Sequence, residues 1–169
     1  MTRTLALCLL IAGCVSVEPR LQTTEEARQH CAEAAHSPLV SLGIDPERTT
    51  IAARRWKMDA KTDSYGEYRD LGDKVKAVNK REVLFHEYMH RGLSRAGERL
   101  NTFNGMFRDD EHGLIYYVLD RDFPGLQEGR IPARKRSDAK ARWTSPEYAV
   151  RLSAIETKAR ETKGWCGNG

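Results

Sequence analysis

The chain has 169 residues, 40% of them hydrophobic and 31% charged, with a formal net charge of +4. That length and balance fit one soluble globular domain around a single core, and they exclude a disordered or low-complexity chain. The positive surplus favours solubility and loose attraction to acidic surfaces, and it is too small to argue for a nucleic-acid partner.

The first residues, MTRTLALCLLIAGCVS, carry one early arginine, an apolar run from Leu5 to Ala12 and then small residues. This is the pattern of a secretory signal, too short to span a bilayer as a mature helix. The segment LIAGC, Leu10 to Cys14, resembles the lipobox of bacterial lipoproteins. The resemblance implies a signal over residues 1–13, cleavage before Cys14, lipidation of Cys14 and a membrane-anchored tether over 14–22. Several acyl chains hold such an anchor where one would not. Val15, in place of aspartate, implies the inner leaflet of the outer membrane, facing the periplasm, in a Gram-negative host. An ordinary signal cleaved near Ala12 to Ser16 is the alternative. Export places Cys31 and Cys166 in a disulfide-permissive compartment. We expect them to pair, joining the first helix to the C-terminal tail, with two free thiols as the alternative.

Residues 23–169 read as a single domain. Thr23 with Glu26 three positions on forms a capping box for a first helix, whose apolar stripe is Ala27, Cys31 and Ala34 or Ala35 and which Pro38 ends. Thr49 to Trp56 leans towards strand, DSYGEYRDLGD is loop-like, and Lys74 to Val78 alternates as a short strand should. A helix is expected from Lys80 to about Ala96, with Asn79 as N-cap, Glu82 three residues later and Gly97 as the stop. Asp109 or Asp110 can cap a further helix over EHGLIYYVLDR. The basic run Gly129 to Arg142 reads as a solvated loop, with contact to an anionic surface as the alternative. Ser145 and Pro146 open a last helix with a stripe of Tyr148, Ala149, Leu152, Ile155 and Ala159. His30 and His36 read as helix-surface residues. The sum is α+β, mostly helical, with a small β-sheet.

Within the Lys80–Ala96 helix stands HEYMH, His86 to His90. Residues i and i+4 share a helical face, so both imidazoles can reach one ion. A catalytic zinc takes three protein ligands and water, and Glu87 stands where a general base is needed. The pattern resembles the H-E-x-x-H motif of zincin-type zinc metallopeptidases. The resemblance implies a minimal zincin-like domain with the HExxH helix, a second ligand-bearing helix and a small sheet. It implies Zn2+ held by His86 and His90, with Glu87 as catalytic base. Ala96 stands where one subfamily has its third histidine, which excludes that subfamily. The gluzincin pattern supplies a glutamate from a second helix. Here Glu111, on the face of Leu114, Ile115 and Val118, is the first choice and His112 the runner-up. Ile115 stands where that family has an aspartate supporting a ligand histidine, so Asp120 or Asp110 would have to serve. His112, Tyr116, Tyr117 and Arg108 are candidate oxyanion donors. The strand over Lys74 to Val78 is a candidate to hold a peptide by strand addition. The expected function is zinc-dependent hydrolysis of peptide bonds, in a protein or a cell-wall peptide, at the cell envelope. The alternative is a non-catalytic envelope lipoprotein with a structural metal site or none.

Overall fold

The structure is a computed structural model that describes residues 18–57, 63–98 and 108–167. The signal and lipobox segments, with Cys14, lie outside the described residues. In chain order the elements are β1 (Arg20–Leu21), α1 (Thr24–Glu33), α2 (Pro38–Gly43), β2 (Thr49–Ala52), β3 (Trp56–Lys57), β4 (Asp63–Ser64), β5 (Gly66–Arg69), β6 (Lys74–Val78), α3 (Arg81–Arg95), α4 (Arg108–Asp122), α5 (Ala133–Trp143) and α6 (Pro146–Glu161). A short 3-10 turn, Trp165–Gly167, follows. The class is α+β and mostly helical, as expected.

The main sheet has the order β1-β2-β6-β5. Strands β2 and β6 run parallel, while β1 and β5 flank them antiparallel. Strand β6 is therefore paired on both edges, and its ladder has no place for a peptide. Among the described residues the edge strands of this sheet are β1 and β5, and β5 lies inside the stretch expected to be a loop. Its Gly, Asp and Ser content masked a strand held by pairing with β6 and packing on α3, because strand preference follows packing more than intrinsic propensity.

Helix α3 is the hub. Every residue from Val83 to Leu93 is buried. Helices α2, α4 and α6 and strands β5 and β6 all pack against it. The approach of α2 depends on two glycines. A Cβ at Gly43 would lie 1.9 Å from the Tyr88 carbonyl oxygen, and one at Gly92 2.0 Å from that of Leu39. The two backbones thus cross in direct contact, which any side chain would prevent. Buried polar groups need partners. Arg91, 1% exposed, bridges Asp73 at 2.6 Å and Asp45 at 3.0 Å and donates to the Gly43 carbonyl at 3.0 Å. It ties α3 to α2 and to the β5–β6 turn.

Local expectations fare unevenly. The Thr23–Glu26 capping box forms in full. Gly97 sits just past α3 at φ 86°, the left-handed stop glycine supplies. Helix α3 begins one residue later than Asn79 would dictate, with Lys80 at the N-cap and no side-chain cap bond. The basic run expected to be a loop is largely helix α5, which buries Ala139 and Trp143. Single-face burial of two residues leaves little periodic signal among so many cations. His30 is half-buried rather than on the surface, bonded through Nδ1 to Gln22 at 2.8 Å and set edge-on to Phe85. His36 is exposed, as expected. Cys31 and Cys166 form the expected disulfide, with Cα atoms 5.5 Å apart, and so tie α1 to the C-terminal turn.

Candidate metal centre

Helix α3 presents His86 and His90 one turn apart, and α4 crosses it with His112. A ligand atom of each lies within 4.8 Å of the other two. The ring centroids are 4.9 Å apart for His86–His90, 5.0 Å for His90–His112 and 5.7 Å for His86–His112. Tyr116, one turn beyond His112, has its ring 6.0 Å from both His86 and His112.

Glu111, the first choice for third ligand, takes a different place. It is 2% exposed, so its inward direction is as expected. Its Oε1 lies 2.5 Å from His90 Nδ1, which directs the other nitrogen of that ring, Nε2, away from the carboxylate. A ligand histidine characteristically donates its second N–H to a carboxylate, which fixes the tautomer and raises basicity. Glu111 thus stands behind a candidate ligand, and His112 is the residue beside the other two. Asp120 and Asp110, considered for that supporting role, bond elsewhere. Asp120 accepts from Gln127 and Arg136, and Asp110 pairs with Arg142. Ile115 is fully buried core.

The donor set fits a metal. Burial, then the charges of His90, Arg130 and His112, holds the His86 imidazole well below its ordinary pKa, in the neutral form that binds cations. Its Nδ1 is buried with no hydrogen-bond partner among the described residues. Three imidazole nitrogens converging beside the buried His86 ring are well suited to a borderline cation such as zinc.

Glu87 is 5% exposed and packs against edge strand β5. A Cβ at Gly66 would lie 2.4 Å from its Oε1 and 2.7 Å from its Cγ, so the glycine in β5 makes room for the carboxylate. Burial pushes the Glu87 carboxyl up to about 7, against the opposing pull of His90 and Arg130 and of the Tyr68 backbone amide. Burial also raises the Tyr116 phenol, which keeps its proton and remains a donor. Tyr117 turns elsewhere, with the Arg121 guanidinium 5.8 Å from its ring centroid. The side chains of Arg108 and Asp109 lie outside the described ones.

Two residues near the site escaped the sequence. Arg130 donates to the Glu82 carbonyl at 2.6 Å, and its charge acts on His86, Glu87 and Tyr116. No local pattern could have placed it there. Gly66 was legible only as a glycine inside a stretch taken for loop.

Comparison with protein-family models, with curated proteins and with solved structures finds no match to this chain.

Proposed function

We propose that the chain is a zinc-dependent hydrolase of peptide bonds. The observation that carries the reading is the convergence of His86, His90 and His112 from two crossing helices, with a carboxylate near neutral pKa adjoining them on α3. His90 would be held in its ligand tautomer by Glu111. A bound divalent cation supplies Lewis acidity, which acidifies water and polarises a carbonyl. Glu87, poised near 7, would take a proton from the attacking water and return it to the leaving amine. Tyr116 would donate its phenolic hydrogen to the developing oxyanion. Edge strand β5 packs on Glu87 through Gly66 and would hold an extended peptide by strand pairing. With Cys14 lipidated, this chemistry would take place at the envelope, on a protein or a cell-wall peptide.

Glu87→Gln tests the proposal. The variant retains zinc and loses hydrolysis of a peptide library by at least about a hundredfold, the scale of a positioned general base. Equal activity in both forms, or retained zinc with no hydrolysis in the unsubstituted protein, favours a structural metal site in a non-catalytic lipoprotein.

A further inference from the structure

Beside the histidine cluster, between α4 and α5, opens a cavity of about 390 Å3 lined by His112, Gly113, Tyr116, Lys135, Asp138, Ala139 and Arg142. His112 belongs to both the cluster and the cavity, and Tyr116 lines the cavity with its ring beside the cluster, so the cavity adjoins the candidate metal centre. Its floor at Gly113 lacks a side chain. A Cβ there would lie 3.3 Å from Nε1 of the buried Trp143, an indole nitrogen with no hydrogen-bond partner among the described residues.

The charges sort themselves by pairing. Arg142 is matched by Asp110, and Asp138 by Arg134 at 3.8 Å. Lys135 has no ion-pair partner among the described residues. Arg130, towards the cluster, spends one N–H on the neutral carbonyl of Glu82 and likewise has no carboxylate partner among them. Two cations without an ion-pair partner among the described residues therefore stand near the site, Lys135 on the cavity wall and Arg130, whose field reaches His86 and Glu87. A polar pocket with surplus positive charge selects an anionic group, because attraction and register then act together.

We propose that this cavity is the specificity pocket of the metal centre and receives a carboxylate of an acidic peptide, held by Lys135. The inference rests on the hydrolase reading above for the word peptide, and on the charge pattern for the carboxylate. That carboxylate is either an acidic side chain next to the scissile bond or the C-terminus of the peptide.

The test is a binding measurement that does not need turnover. Zinc-loaded Glu87→Gln protein is titrated calorimetrically with four short peptides, carrying Glu or Gln at one position and a free or amidated C-terminus. The expected result is about tenfold tighter binding of the peptide with the relevant carboxylate at low salt, the scale of one charge-assisted contact in a half-open site. The Glu–Gln pair reads the side-chain source, and the free–amidated pair the terminal one. Adding Lys135→Glu, an exposed change whose melting curve checks the fold, removes the preference. Equal affinity within both pairs overturns the proposal. So does a preference that survives Lys135→Glu, or the absence of binding by all four peptides. Hydrolysis by the protein with Glu87 intact is measured separately, so a carboxylate preference without turnover would sink the hydrolase reading and leave the pocket.

Discussion

Glu87→Gln has a consequence for stability that can be read without metal or substrate. In the metal-free protein, burial raises the Glu87 carboxyl from 4.5 to about 7. A raised acid favours the protonated, folded form. Its contribution is therefore fully present below the unfolded value of 4.5 and is lost as pH rises through about 7. A separation of roughly two to three units at ~1.4 kcal/mol each gives about 3 kcal/mol. Glutamine has nearly the same shape and carries no charge at any pH. The variant should match the parent chain at pH 4.5 and exceed it by up to about 3 kcal/mol at pH 8. Urea unfolding in the presence of a chelator, at half-unit steps from pH 4.5 to 8.5, measures the gap. A difference that does not change with pH would refute the reasoning, because it would mean that the Glu87 carboxylate is solvated or compensated in the fold.

Two further outcomes follow from packing. Gly66→Ala drives a methyl group into the Glu87 carboxylate and the Val83 side chain, where the clearances are 2.4 and 2.7 Å. It should cost on the order of 1–3 kcal/mol by denaturant melt and lower any hydrolytic rate, by displacing the edge strand from the site. Reduction of the Cys31–Cys166 bond, which spans 135 positions, should destabilise the fold by about 2–5 kcal/mol, read as a drop in Tm on adding a reductant. An unchanged Tm would show that the C-terminal turn is held by other contacts.

What the sequence disclosed, it disclosed where physics is local. The capping box at Thr23, the stop at Gly97 and the i, i+4 placement of His86 and His90 depend on a few neighbouring residues, and all three take their expected geometry. The disulfide rested on compartment and counting, and the two sulfurs meet. Tertiary choices were less visible. Glu111 and His112 are adjacent on α4, and helical periodicity correctly turned Glu111 inward. It could not tell whether the inward carboxylate would reach an ion or the back of His90, because that depends on the crossing of α3 and α4. Strand β5 and helix α5 were hidden for a related reason. Each is held by neighbours distant in sequence, and a strand rich in Gly and Glu or a helix rich in Arg and Lys carries little hydrophobic pattern of its own. The close crossing at Gly43 and Gly92 could not be anticipated either, since a glycine near a helix end reads first as a terminator.

Direct zinc binding to variants of the three cluster histidines and of Glu111 is the most telling measurement. Calorimetric titration of the metal-free protein should show one equivalent of Zn2+ per chain. That binding should be lost in His86→Ala, His90→Ala and His112→Ala, and weakened about 10–100-fold in Glu111→Gln. Unchanged zinc affinity in His112→Ala, together with loss in Glu111→Gln, would contradict the three-histidine centre.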